Sequence, residues 1–131
     1  MKHLILITLI ISSLFSARLN WLHHYDSALI LAQMQGKDVY LFIGADECRY
    51  CDKLVRETLS NPEVIKRLKE DYILLYMSRD QHLIPDKYKT QGVPRHYFLT
   101  PKGDIIYTTN GSREIDGFYQ LLDEVELSKE D

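Results

Sequence analysis

The chain has 131 residues, 45% of them apolar and 27% charged, with only six glycines and four prolines; this composition excludes a disordered or fibrous chain and fits one globular domain. A formal charge of −3 lacks the basic footprint of a nucleic-acid binder. The chain holds two cysteines, Cys48 and Cys51, a pair too close in sequence to staple a fold, because a bridge across so short a loop restrains the unfolded chain very little.

Met1-Lys2-His3 is a short basic start, Leu4 to Leu14 is almost wholly apolar, and Ser16-Ala17 supplies small residues before the polar sequence begins, the pattern of an export signal over residues 1–17. The apolar run is too short to span a bilayer as a finished helix. Cleavage after Ser16 or Ala17 would leave Leu14 or Phe15 where small residues are preferred, so an uncleaved membrane tether is the alternative. Residues 18–131 are then a single domain.

Apolar residues at Leu22, Tyr25, Leu29 and Ala32 predict a helix from Trp21 to Gln35, ended by Gly36-Lys37. Val39 to Ile43 is a compact apolar run bounded by Asp38 and Gly44, which suits a central strand buried on both faces. The cysteines follow shortly after it, and Cys51 to Leu59 is compatible with a helix. Asn61-Pro62-Glu63 opens another helix, with a capping Asn, Pro in the first position and an acid in the first turn. Tyr72 to Met77 reads as a second strand, and His82 to Gln91, broken by Pro85, as a short helix or loop. Arg95 to Thr100 and Ile105 to Thr109 form a hairpin about Pro101-Lys102-Gly103-Asp104. Ile115, Phe118, Leu121, Leu122 and Val125 share one face of a last helix. The order predicts a three-layer α/β sandwich on a four-stranded mixed sheet.

Thiol exchange needs a thiolate that attacks a disulfide and a second thiol that resolves the mixed intermediate. Cysteines at i and i+3 where a strand turns into a helix meet this need: both sulfurs face one side, and the first lies near free backbone N–H groups that favour its thiolate. Cys48 is the expected nucleophile and Cys51 the resolving thiol. Arg49 favours the thiolate, and Asp46 and Glu47 oppose it. Half of a zinc site is the competing reading, but there is no second C-x-x-C, and His23, His24, His82 and His96 lack the H-x₃₋₅-H spacing, so no metal is expected. The chemistry calls for no cofactor.

The strand, C-x-x-C, helix arrangement, the Gly92-Val93-Pro94 run directly before a strand, and the ending of strand, turn with Gly103, strand and amphipathic helix resemble the thioredoxin superfamily from about Asp38 to Val125. Within it, Cys51 to Val64 followed by Tyr72-Ile73-Leu74-Leu75 is similar to secreted single-domain thioredoxins and to the C-terminal domain of DsbD. The resemblance implies a thioredoxin-like fold and a cis Val93-Pro94 bond facing the dithiol, where the backbone of Val93 pairs with an extended substrate. Arg95 and His96 flank this loop, and His96 is a candidate for tuning the site.

The sequence departs from the thioredoxin pattern at the site itself. Arg49-Tyr50 stands between the cysteines in place of Gly-Pro, and Glu47 replaces a Trp. The acid that many relatives carry six positions before the nucleophile falls on Phe42, leaving Glu57 or water as proton acceptor for Cys51. The poise is thus open between a reductant at about −270 mV and an oxidant at about −120 mV. The expected function is a periplasmic or secreted oxidoreductase that reduces disulfides of exported proteins and is recharged by a membrane thiol reductant. The alternatives are an oxidase or isomerase using the same residues, and a non-catalytic binding or metal-carrier module.

Overall fold

A computed structural model describes residues 21–89 and 92–130; the segment read as an export signal lies outside them, as does Gln91 at the end of the stretch read as a short helix or loop. The described elements are β1 (Trp21–Leu22), α1 (Tyr25–Gln35), β2 (Asp38–Gly44), α2 (Arg49–Leu54), a π-helical turn (Val55–Leu59), α3 (Pro62–Asp71), β3 (Tyr72–Ser78), a 3₁₀ turn (Asp86–Tyr88), β4 (Arg95–Leu99), β5 (Ile105–Asn110) and α4 (Ile115–Lys129).

The sheet has five strands in the order β1-β3-β2-β4-β5, one more than the sequence predicts. The extra strand is Trp21–Leu22, expected as the first turn of the helix. It pairs in parallel with Leu74 and Leu75 instead, and the Trp21 ring lies edge-on to Tyr40 at 6.0 Å. The helix begins later because His24 caps it, its ring nitrogen accepting from the Ser27 N–H. Gly36 closes α1 in the left-handed conformation, φ 64°, and sends its N–H back to the Ala32 carbonyl.

β2 is central, parallel to β3 and antiparallel to β4, and every residue from Val39 to Gly44 is buried. Its alternation divides the core. Tyr40 and Phe42 face α2, α3 and α4 through Cys51, Leu54, Val64, Leu68, Phe118 and Leu122. Val39, Leu41 and Ile43 face α1 through Ala28 and Ala32. This is the expected three-layer sandwich. Asn61 caps α3 by accepting from the N–H groups of Glu63 and Val64 at 2.9 and 3.2 Å, with Pro62 in the first turn. The β4–β5 hairpin turns on Gly103, φ 88°, whose carbonyl accepts from the buried Tyr88 hydroxyl at 2.8 Å.

Parallel pairing of β2 with β3 brings the C-terminal ends of both strands to the same end of the sheet. The loop leaving β2 is fastened there: the Arg79 N–H bonds the Gly44 carbonyl at 3.0 Å and the Asp46 N–H bonds the Asp80 carboxylate at 2.8 Å. The segment entering β4 arrives at the same end, because Ile43 pairs with Arg95 and Pro94 is next in line.

Candidate functional site

Cys48 and Cys51 are joined by a disulfide, with Cα atoms 5.2 Å apart. Cys48 is the N-cap of α2 in extended conformation, and its Sγ accepts from the Cys51 N–H at 3.1 Å. A sulfur in that position would satisfy a helix-start donor as a thiolate. Exposure separates the two cysteines: Cys48 is partly open to solvent and Cys51 is 4% exposed within the core cluster. Arg49 and Tyr50 both project into solvent, Tyr50 with 59% of its surface exposed.

The Val93–Pro94 peptide is cis. Pro94 is buried, its carbonyl accepts from the Gly111 N–H at 2.9 Å, and Val93 packs against the cluster that contains both cysteines. The fold therefore places Cys48, Cys51, Val93 and Pro94 at one end of the sheet, beyond β2 and before β4.

Two other residues singled out in the sequence occupy different surroundings. Glu57 is exposed on the π turn, its carboxylate 4.0 Å from Arg56, and it borders a groove with Glu114, Asp116 and Gly117. Lying six residues beyond buried Cys51 on the helical segment, it faces solvent rather than the sulfur. His96 is fully buried between the sheet and α4. Its Nδ1 accepts from the Tyr40 hydroxyl at 2.7 Å and its Nε2–H donates to the Gly111 carbonyl at 2.8 Å. Burial holds its pKa down at about 4, against the Gly111 bond and with the nearby positive charges of Arg113 and Arg95. His96 is a neutral core residue with both ring nitrogens engaged.

The sequence reading passed over Tyr76 and Ser78. Phe42 pairs with Tyr76 and Gly44 with Ser78. A Cβ built on Gly44 would stand 3.1 Å from the Tyr76 hydroxyl and 3.5 Å from Cys51 Sγ, so hydroxyl and sulfur both border the space left beside Gly44. The period-2 spacing of Tyr72, Leu74, Tyr76 and Ser78 is visible in the sequence and places them on one face of β3, but the partner strand's register is not. Tyr76 also borders an apolar cleft of about 340 Å³ with Trp21, His23, Phe42, Val55 and Leu59. The rings of His23 and His82 stack beside it, centroids 5.4 Å apart.

Residues 20–101 match the model of the Thioredoxin-like family. The chain belongs to this family. Among solved structures it is similar to a thioredoxin from Thermus thermophilus, 29% identical with a TM-score of 0.69 over 82% of this chain and 86% of that one. It shares its fold with the oxidised DsbD C-terminal domain of Neisseria meningitidis, 19% identical with a TM-score of 0.61 over 76% and 90% of the two chains. Anterior gradient protein 3 of Mus musculus is 29% identical over 86 residues, 63% of this chain, and a protein disulfide-isomerase of Hordeum vulgare 28% identical over 95 residues, 72% of this chain. The matched regions are 50% and 18% of those two proteins, so the chain spans half or less of the curated relatives it matches. Family, fold and the Cys48–Cys51 disulfide together give this chain a thioredoxin-like domain with a C-x-x-C disulfide at a helix start.

Proposed function

We propose that the protein is an exported reductase of protein disulfides. The observation that carries the reading is the unequal exposure of the two sulfurs at a helix start: Cys48, open and supplied with a backbone donor, attacks, and Cys51, buried beside it, resolves. In the dithiol state the Cys48 thiolate attacks a substrate disulfide, forming Cys48–S–S–substrate and releasing the first substrate sulfur as a thiolate. Cys51 then attacks Cys48 Sγ, the second substrate sulfur leaves with the bonding electron pair, and the Cys48–Cys51 disulfide closes. Two electrons pass from the protein dithiol to the substrate, and a membrane thiol reductant restores the dithiol.

Val93 and Pro94 form the substrate ledge, with the Val93 backbone pairing to an extended segment of the disulfide-containing partner. Arg49 and Tyr50, exposed between the cysteines, meet the substrate surface and bias its choice. Export rests on the basic, apolar and small-residue pattern of residues 1–17, which directs the domain to the periplasm or the exterior with its signal removed or kept as a tether.

Cys51→Ser should arrest the cycle after the first attack, so that Cys48 accumulates mixed disulfides visible on non-reducing gels and lost with dithiothreitol. Absence of adducts, combined with stoichiometric zinc or copper binding, would replace the enzyme by a binding module. Equilibration with glutathione buffers should place the couple near about −270 mV; a midpoint near about −120 mV would reverse the direction of the reaction.

A further inference from the structure

Resolution of the mixed disulfide requires Cys51 to lose its proton in a place that water scarcely reaches, since the residue is 4% exposed. The side chain of Phe42, in the same cluster, cannot accept it. Glu57 faces solvent, and His96 has its only acceptor nitrogen engaged by Tyr40. The Tyr76 hydroxyl borders the same space beside Gly44 as the Cys51 sulfur.

From there a row of polar side chains leads outward. Ser78 follows two residues later on the same face of β3, close enough to pull the Tyr76 pKa down against the burial and the carboxylates that raise it. Ser78, 1% exposed, donates its hydroxyl to Asp46 Oδ1 at 3.1 Å. Asp46 is exposed, and the same oxygen accepts from Gln81 Nε2 at 2.6 Å, which orients the carboxylate. Resting on the reductase reading above, we propose that Tyr76, Ser78 and Asp46 form a proton exit for the Cys51 thiol during resolution of the mixed disulfide.

The step balances as a relay. As the Cys51–Cys48 bond forms and the Cys48–substrate bond breaks, the Cys51 proton passes to Tyr76 Oη, directly or across one water in the gap. The Tyr76 proton moves to Ser78 Oγ and the Ser78 proton to Asp46, which returns it to solvent; the departing substrate thiolate takes a proton from water. Tyr76 acts as a conductor rather than as a charged base. Burial raises its pKa, and Asp46, Asp52 and Asp80 raise it further against the opposing influence of Ser78, so the phenol keeps a proton to pass on. These carboxylates and the rings of His23 and His82 are the ionisable groups gathered around it.

Tyr76→Phe keeps the ring and deletes the hydroxyl. With a disulfide-linked fluorescent peptide as substrate, adduct formation at Cys48 should stay within about twofold of wild type while release slows about ten- to hundredfold and becomes steeper with pH. Gly44→Ala, which puts a methyl into the gap, and Ser78→Ala should slow the same step, and Asp46→Asn should slow it several-fold. Independently of turnover, the ¹³Cβ titration of Cys51 in the reduced protein should move up in Tyr76→Phe, because the thiolate loses a neighbouring hydroxyl. Unchanged release together with an unchanged Cys51 titration would overturn the relay. Failure of the wild type to form any adduct would instead overturn the reductase reading, and the Cys51 titration would still judge the relay.

Discussion

Two tyrosine-centred polar networks lie on the same face of the sheet, on adjacent strands, and differ in whether they close. Tyr40 on β2 donates to His96, which donates to Gly111, and the chain ends on a backbone carbonyl in the core. Tyr76 on β3 lies beside Ser78, which donates to Asp46, and that row runs from the neighbourhood of the Cys51 sulfur to solvent. The closed network satisfies every ring nitrogen of His96 and gives the core a polar rivet. The open one leaves a path along which a proton can travel. The difference teaches that a buried hydrogen-bonded group next to a reactive pair is not by that fact part of the chemistry; where its chain of donors ends decides.

The largest effect expected from breaking the closed network is on stability. His96→Ala removes a fully buried ring, opens a cavity and strands both the Tyr40 hydroxyl and the Gly111 carbonyl. The expected loss is about 3–5 kcal/mol in urea unfolding, with Cys48 adduct formation unchanged in the protein that remains folded.

The same histidine makes stability depend on pH. Its folded pKa, about 4, lies below its unfolded value of 6.5, so the unfolded chain binds the extra proton in the interval between them. The His96 contribution is therefore fully present above pH 6.5 and is lost as pH falls from 6.5 towards 4. At about 1.4 kcal/mol per pKa unit the loss is on the order of 3 kcal/mol. Urea melts of wild type and His96→Gln across this window check it, the expected result being a shallower slope in the variant.

The sequence revealed the fold through its apolar periods and the site through one spacing. Val39–Ile43 reads as a buried central strand, Asn61-Pro62-Glu63 as a helix start and Cys48-x-x-Cys51 as a redox pair because each signal lies within a few consecutive residues. Trp21–Leu22 did not read as a strand, since two residues carry no period and only their pairing with Leu74 and Leu75 makes them one. Tyr76 was equally hidden. Its meaning comes from lying opposite Phe42 and across Gly44 from Cys51, contacts set by strand register rather than by neighbours in the chain. His96 and Glu57 were named for their chemistry, but their positions depend on which face of β4 and of the π turn they occupy. Titratable type is a property of the sequence; access to the sulfur is a property of the fold.

One substitution applied to both networks sharpens the comparison, because Tyr→Phe deletes a hydroxyl and leaves the ring. In Tyr40→Phe, His96 Nδ1 loses its donor inside the core, which should cost about 1–3 kcal/mol of unfolding free energy and leave release of substrate at its wild-type rate.

In Tyr76→Phe the order should reverse. The side chain is only half-buried beside an open cleft, Ser78 keeps its bonds to Asp46 and the N–H of Asp80, and the ring still packs against Phe42, centroids 5.1 Å apart. Unfolding free energy should therefore change by less than about 1 kcal/mol while release of the mixed disulfide slows. Urea melts paired with single-turnover release on the two variants test this crossing of effects. If both variants lost stability and neither slowed release, Tyr76 would be a second rivet of the Tyr40 kind, and the path from Cys51 to solvent would have to run through other groups.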